Sequence, residues 1–309
     1  MENSIRRPTE AARDAEACCR RAHHWYKSFG DSGIGGMWRY ALREGGRWAL
    51  ALAGAFLIAV GISAISAAKG GYGPALAQRL LAFLRLDFGT SALSGQSALR
   101  ELAAHGPTTA NLILFGALIA LALGVPLGLL LGTGAVRRAT APLIQIVSAA
   151  PVFCAGLALA YAARHIGFQE SPAVLHALLL PSITVGLAGT AAVQVALRRA
   201  ASQAQDSPFR IGLRRMGLSA IEIERVYIVP QIFAGLLSSL GEVMLALLSA
   251  AVVSEWVFKC PGIADLFVKS IALHDWNMAA LILFVFAALT ATAEFIGRIG
   301  AQLLVRAAS

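Results

Sequence analysis

Six long apolar stretches constrain the fold of this chain more than any other feature. A helix that crosses the hydrocarbon core of a bilayer needs about 20 mostly apolar residues, and the sequence contains six windows of that kind. The first four contain no Asp, Glu, Lys or Arg, whereas the last two carry Glu242 and Glu294. The predicted transmembrane helices are 48–68, 109–133, 141–163, 173–197, 232–253 and 278–296.

The composition agrees with a membrane fold. Hydrophobic residues make up 57% of the 309 residues and charged residues 14%, compared with about 45–50% and about 25% in soluble domains. The fold class is therefore predicted to be all-α, a polytopic membrane protein whose six transmembrane helices occupy residues 48–306.

The distribution of positive charge predicts the orientation. Most of the 26 Lys and Arg residues lie in residues 1–47, in the connection 198–231 and in the other segments on the same side. Because such residues accumulate in cytoplasmic segments, the tail 1–47, the loop 198–231 and the C-terminus are predicted to be cytoplasmic. The net charge of +9 is assigned to attraction towards anionic membrane lipid, and no nucleic-acid partner is predicted.

Small residues predict close helix packing. Gly124, Gly128 and Gly132 recur every four residues and share one helix face, and small faces let helix backbones approach closely in lipid. Glu294 is predicted to pair with Arg298 one turn later.

The N-terminal tail contains soft metal ligands, Cys18, Cys19, His23 and His24. Their spacing matches no zinc pattern, so the tail is interpreted as flexible and no metal site is predicted.

The cytoplasmic loop 198–231 is the most informative segment, because a long ordered connection usually has a function. It is predicted to form two short helices separated by Gly217. In the second helix, Ser219 followed by Glu222 predicts a capping box. That helix is predicted to stop at Pro230, which returns the chain to the bilayer. The shape suits docking into a groove on a cytosolic partner.

This loop resembles the "EAA" loop of binding-protein-dependent ABC importer permeases. In that family a Gly is followed by nine residues and then Ile-x-Leu-Pro, and here Gly217 is followed by nine residues and Tyr-Ile-Val-Pro at 227–230. The sequence Ile-Gly-Leu at 211–213 stands where the family has Glu-Ala-Ala. Further segments are similar to those of the first permease subunit of the peptide/nickel branch, namely 86–91, 124–128, 150–153, 255–262 and 274–276.

The resemblance implies a type I ABC importer permease-like fold and a set of partners. These are a second homologous permease, two cytosolic ATP-binding subunits and an extracytoplasmic substrate-binding protein. The sequence contains no P-loop, so ATP and Mg are expected in the partner ATPases, and this chain is predicted to bind no cofactor and to have no catalytic residue. The residues implied to couple to an ATPase are Phe209, Arg210, Arg214, Arg215, Gly217, Leu218 and Pro230. The alternative for the three arginines is that they only set the orientation.

Two further groups of residues are predicted to act in transport. Glu242 and Gln194 are predicted to line the pathway, since an acid inside a membrane helix is a functional candidate. A helix–helix hydrogen bond is the alternative for Glu242. The resemblance also implies an outer gate loop, for which an interfacial anchor is the alternative. The gate residues are Glu255, Trp256, Phe258, Pro261, Gly262 and Asp275.

The predicted function is that of a permease subunit in the bacterial inner membrane that imports peptides. A nickel or metal-chelate importer of the same family is the alternative, and outside the family a channel, a membrane enzyme or a scaffold would be the competing reading.

Overall fold

The computed structural model describes residues 34–67, 72–85, 87–91, 94–131, 152–165, 173–205, 212–214 and 219–307. Within these ranges the chain is helical apart from short connections and one isolated antiparallel bridge between Thr90 and Ser97. The predicted all-α class is therefore confirmed. The helices are α1 Ile34–Ala67, α2 Tyr72–Leu84, α3 Ala98–Leu131, α4 Val152–His165, α5 Ala173–Gln205, α6 Ala220–Glu222, the π-helix Ile223–Ile228, α7 Val229–Ser238, α8 Leu240–Phe258, α9 Ile263–Ala272 and α10 Trp276–Ala307.

Five stretches are long and apolar enough to cross a membrane, counting only the part of the chain that the structure describes. They correspond to the first, second, fourth, fifth and sixth predicted spans. Residues 141–151 of the third predicted span lie outside the described ranges, and α4 covers the rest of that span. The five stretches are Gly36–Ala64, Ala98–Leu129, Leu178–Gln205, Leu240–Phe258 and Trp276–Arg306.

The helices extend beyond the apolar windows. Helix α1 begins at Ile34, so residues 34–47, predicted as part of a tail, are helical. Helix α3 begins at Ala98, before the predicted span 109–133, and runs through Pro107. A helix satisfies its backbone hydrogen bonds internally and need not end where it leaves the apolar layer. The hydropathy windows therefore mark only the apolar part of each helix.

The fifth predicted span, 232–253, is wrong as a single helix. Helix α7 ends at Ser238 and α8 begins at Leu240. The Ser239 hydroxyl donates to the Gly235 carbonyl at 3.1 Å, a side-chain bond to the preceding turn that competes with regular helix geometry. Glu242, predicted at mid-span, consequently lies in the first turn of α8.

The first hydrophobic core is formed mainly by α3, α5, α7 and α8. Glycines bring α3 against α5, because a Cβ added to Gly124 would lie 2.8 Å from Val193 Cγ1, and one added to Gly128 would lie 2.7 Å from Leu197 Cδ1. This contact confirms the predicted small face for both glycines. Gly132 lies outside the described residues.

The second hydrophobic core joins α1, α2, α9 and α10. Phe56 of α1 makes edge contacts with Phe83 of α2 and Phe284 of α10, at centroid distances of 5.9 and 6.1 Å. Helix α2 lies in the connection between the first two predicted spans.

Charged residues fix α1 to α10. Arg298 binds Glu294 on its own helix, which confirms the predicted pair, and its Nη1 lies 3.3 Å from Glu44 Oε2 of α1. These residues lie towards the end of the bundle that carries residues 212–214 and 219–230, which we call the loop end. The opposite end, which carries α9, is called the α9 end.

Candidate functional site: the loop end and the α9 end

The segment at the loop end is helical over most of its described residues. The predicted loop 198–231 begins inside α5, which continues to Gln205. Within residues 212–214, Leu213 is buried in the first core whereas Arg214 is exposed. Leu213 therefore anchors residues 212–214 to the first core, and Arg214 presents a positive charge to solvent. Phe209, Arg210, Arg215, Gly217 and Leu218, which were also predicted as coupling residues, lie outside the described residues.

The predicted capping box at Ser219 is confirmed. The backbone N–H of Glu222 donates to Ser219 Oγ at 3.3 Å, and the backbone N–H of Ser219 donates to Glu222 Oε2 at 3.0 Å. The Ser219 hydroxyl also donates to Glu222 Oε2 at 2.7 Å. These hydrogen bonds favour the carboxylate and lower the pKa of Glu222 below its ordinary value. The two residues thus fix where α6 begins.

The predicted stop at Pro230 is wrong. Helix α6 leads into the π-helix Ile223–Ile228, which is followed without interruption by α7. The Val229 N–H donates to the Glu224 carbonyl, and Pro230 then lies in the first turn of α7. Proline is tolerated in a first turn because its missing N–H is not needed there. The chain therefore continues through Pro230 instead of turning at it.

Glu242 is exposed, with 63% of its side chain accessible, and its Oε2 lies 2.9 Å from Nη1 of Arg199, which is 61% accessible. Glu242 therefore lies on the surface of this chain, in the first turn of α8, and its place in the pathway stays a prediction. Gln194 in α5 is 8% exposed. Of the two predicted pathway residues, Gln194 is therefore buried and Glu242 is on the surface. Sequence reasoning counted Arg199 only as a contributor to orientation.

At the α9 end, Glu255 is completely buried and holds three elements together. Its Oε1 accepts a hydrogen bond from Thr109 Oγ1 at 2.6 Å, and its Oε2 accepts one from the Asp265 N–H at 2.9 Å. Thr109 in turn accepts from the Ile263 N–H at 2.7 Å. A carboxylate at the N-terminus of a helix also matches the helix dipole. Thr109 was missed because nothing in its local sequence marks it as a partner.

Gly262 makes this arrangement possible. A Cβ added to Gly262 would lie 2.3 Å from the carboxyl carbon of Glu255, so only glycine allows the carboxylate to reach the first turn of α9. Gly262 and Glu255 are therefore part of one buried structure.

Trp256 and its neighbours lie on the surface of the same end. Trp256 is 52% exposed, and the ammonium group of Lys259 lies 4.9 Å from the centre of its ring. Pro261 is exposed and Phe258 is half-buried. An aromatic ring beside a cation suits the boundary of a bilayer, which supports the anchor interpretation for Trp256.

Asp275 makes a second buried connection at the α9 end. Its Oδ2 accepts a hydrogen bond from Ser91 Oγ at 3.0 Å, and its Oδ1 accepts one from the Met278 N–H at 3.2 Å. Asp275 thereby caps α10 and attaches the connection between α2 and α3. Ser91 was not singled out from the sequence, although it lies in one of the segments that carry the family resemblance.

The chemistry of these groups is that of binding and positioning. Among the described residues, no three His, Cys, Asp or Glu side chains lie close enough together to hold a metal ion. The described site offers instead a capped helix at the loop end, an exposed ion pair on α5 and α8, and buried carboxylates at the α9 end, of which Glu255 and Asp275 connect separate elements.

Comparison with known proteins identifies the family. Residues 124–309 match the model of the binding-protein-dependent transport system inner membrane component family. The chain belongs to this family. The match covers more than half of the chain and includes every described helix from α4 to α10. The protein is accordingly a multi-pass inner membrane protein of a family whose members are in general not enzymes.

Two curated relatives are similar to the chain. The oligopeptide transport system permease protein AmiC of Streptococcus pneumoniae serotype 4 strain TIGR4 is 26% identical over 198 residues, and the AmiC protein of strain R6 is equally similar. The aligned region covers 60% of this chain but only 39% of either relative. The chain therefore matches less than half the length of these relatives.

Proposed function

We propose that this chain is a permease subunit of an ATP-driven importer and forms half of a pathway that carries peptides across the inner membrane. The observation that carries the proposal is the family match over residues 124–309, which contains α6, the π-helix and α7 at the loop end. The names of the two similar proteins supply the substrate class.

The loop end is assigned to the cytoplasm, where a cytosolic ATPase would bind it. Leu213, Ile223 and Ile228 of this region are buried in the first core together with residues of α5 and α8. A force applied to the loop would therefore reach the membrane helices through direct packing. Arg214 is exposed and is available to pair with an acidic group of the ATPase.

The α9 end is assigned to the extracytoplasmic side, below a substrate-binding protein. The buried hydrogen bonds of Glu255 and Asp275 attach α9 and the start of α10 to α3 and to the connection before it. These connections would form a rigid platform that holds Trp256 and Pro261 at a fixed height relative to the bilayer. The gate residues then divide into buried ones that hold the platform and exposed ones that meet the partner.

The remaining partners follow from the same assignment. A second homologous permease would complete the pathway, and two ATP-binding subunits would bind ATP and Mg. This chain itself would bind no cofactor and hydrolyse no ATP. Membrane lipid would surround the apolar faces, and the N- and C-termini would lie on the cytoplasmic side with the loop end.

A transport assay in cells tests the proposal. A strain that lacks this chain is complemented with the wild type or with Gly217→Asp, and uptake of a labelled dipeptide and of labelled nickel is measured. Wild type should restore dipeptide uptake, and Gly217→Asp should abolish it because the charge enters the predicted bend between the two loop helices. Gly46→Asp is the matched control, because Gly46 is an exposed position of α1 with no neighbouring side chain within 4 Å of an added Cβ. Restoration of nickel uptake alone, or full activity of Gly217→Asp, would contradict the proposal.

A further inference from the structure

The ion pair between Arg199 and Glu242 lies in helices that cross the membrane. Arg199 belongs to the stretch Leu178–Gln205 and Glu242 to the stretch Leu240–Phe258. Both side chains are more than 60% exposed in this chain, and their charged atoms are 2.9 Å apart. The pair bridges α5 and α8 on an open face, where no other group of the described residues encloses it.

Helix geometry gives the depth of the pair. Gly189 of α5 packs against Leu247 of α8, since an added Cβ would lie 2.7 Å from Leu247 Cδ2. From that level, at about 1.5 Å per residue, Glu242 lies about 7.5 Å and Arg199 about 15 Å towards the loop end. Side chains of a helix tilt towards its N-terminus, so the Arg199 side chain tilts back towards the α9 end and meets Glu242.

With Trp256 placed at the boundary of the bilayer, Glu242 would lie within its thickness. It precedes Trp256 by fourteen residues, or about 21 Å along α8, whereas the hydrocarbon core is about 30 Å thick. Arginine near the end of a membrane helix usually extends towards water. Arg199 extends instead to a carboxylate inside the membrane segment.

A comparison with α10 shows that this face differs from a lipid-facing surface. The exposed positions among the described side chains of α10 are Leu289, Ile296 and Leu303, seven residues apart and all aliphatic. Those of α8 are Glu242, Leu245, Ser249 and Trp256, so this face carries a charged and a polar residue beside two apolar ones. Charged groups that face lipid are costly. The α8 face around Glu242 therefore carries groups suited to water and solute, which the exposed face of α10 lacks.

We propose that Arg199 and Glu242 form a binding site for the two charged ends of a short peptide, with the carboxylate on Arg199 and the ammonium group on Glu242. The proposal rests on the peptide-import function proposed above. It names the side chains of this chain that recognise the substrate. A guanidinium group binds a carboxylate through two parallel hydrogen bonds, and a carboxylate accepts hydrogen bonds from an ammonium group.

A zwitterionic solute has a specific advantage at such a pair. When it inserts between Arg199 and Glu242, each protein charge exchanges one opposite charge for another, so neither is left unpaired within the membrane segment. A solute with only one charged end would pair with only one of the two side chains and leave the other without its counter-charge, so it would bind less tightly. The pair thus distinguishes a peptide with both ends free from one with a blocked end.

The test measures uptake of three labelled substrates by the complete transporter. These are alanyl-alanine, its N-acetyl derivative and its C-terminal amide, assayed with wild type, Glu242→Gln and Arg199→Gln in the presence of the same substrate-binding protein. Wild type should prefer the free dipeptide to each blocked form by about tenfold. Glu242→Gln should lose the preference against the N-acetyl form and keep the other, and Arg199→Gln should do the reverse. The uptake ratios between substrates are compared across the variants, because the substrate-binding protein contributes equally to each of them.

Arg47→Gln is the control, since Arg47 is also an exposed arginine in an ion pair, with Glu44 at 2.9 Å, but lies on α1. It should leave both ratios as in wild type. If Glu242→Gln and Arg199→Gln reduce uptake of all three substrates equally, or leave the ratios unchanged, the site is overturned while the peptide-import function stands. If wild type takes up none of the three, the import function fails and the site with it.

Discussion

Helix α8 carries two glutamates whose surroundings are opposite. Glu255 near its C-terminus is completely buried and engages groups of α3 and α9 through short hydrogen bonds. Glu242 in its first turn is exposed and makes one ion pair with another exposed side chain. The carboxylate of Glu255 therefore stabilises the fold at one end of α8. The carboxylate of Glu242, at the other end, can exchange its partner.

The difference between the two glutamates separates residues that stabilise the fold from residues that are expected to act in transport. At the α9 end, Thr109, Gly262 and the first turn of α9 leave no room for another ligand beside Glu255. At the ion pair, either charge is accessible from outside the chain. Substitutions at Glu255 should therefore change stability, whereas substitutions at Glu242 should change transport.

The largest effect on stability is expected for Glu255→Ala. The change leaves the Asp265 N–H and the Thr109 hydroxyl without their acceptor inside the protein, which should cost about 2–4 kcal/mol. Thermal unfolding of the detergent-solubilised chain provides the measurement, with Glu242→Ala as the control. A loss no greater than that of Glu242→Ala would remove the distinction between the two carboxylates.

A somewhat smaller loss is expected for Gly262→Ala. The added methyl group would overlap the Glu255 carboxylate and force α9 to move, at a cost of about 1–3 kcal/mol. Gly61→Ala in α1 is the matched control, because a Cβ there meets nothing within 4 Å and alanine favours a helix. The same unfolding assay should separate the two alanine variants, and equal stabilities would show that α9 does not pack against Glu255 in this way.

Asp275→Asn should have an intermediate effect of about 1 kcal/mol. The amide can still accept from one of the Ser91 hydroxyl and the Met278 N–H but loses its charge at the start of α10. Hydrogen exchange should show faster exchange in the first turn of α10, with the loop end unaffected. Unchanged protection there would contradict the capping role.

The ion pair should contribute least to stability. Because both partners are exposed, Arg199→Gln or Glu242→Gln should change the free energy of unfolding by about 0–1 kcal/mol, despite the altered substrate ratios proposed above. A large loss of stability in either variant would indicate a structural role for the pair. Glu242 would then stabilise the fold, as Glu255 does.

The capping box at the loop end predicts a small effect of pH. The pKa of Glu222 is lowered by its hydrogen bonds to Ser219, so its contribution to the helix is complete above the ordinary value of 4.5 and is lost as the pH falls through the lower folded value. The protection of the α6 amides, measured as exchange relative to the intrinsic rate at each pH, should fall over that acidic range in wild type. Ser219→Ala should exchange faster at neutral pH and respond less to acid.

Features that depend on neighbouring residues were predictable from the sequence. The capping box needs only Ser219 and Glu222, three residues apart, and the Glu294–Arg298 pair needs only one helical turn. The contact of Gly124 and Gly128 with a neighbouring helix likewise follows from a repeat within one helix. In each case a short segment contains all the information that the feature requires.

Features that depend on distant residues were not predictable in this way. Thr109 meets Glu255 because α3 packs beside α9, and Arg199 meets Glu242 because α5 packs beside α8. The sequence marks Glu255 and Glu242 as unusual but names neither partner. The break at Ser239 was missed for another reason, since its hydroxyl bond to the preceding turn leaves no trace in hydropathy.

The central claim is that this chain forms half of an ATP-driven peptide pathway, and the most direct measurement is transport in a defined system. The chain is reconstituted into proteoliposomes with its second permease and two ATPases, and a labelled dipeptide is supplied with the substrate-binding protein on the side of the α9 end. We expect accumulation of the dipeptide that requires ATP on the loop side and is absent without this chain. Equal accumulation without the chain, or entry that does not depend on ATP, would contradict the account.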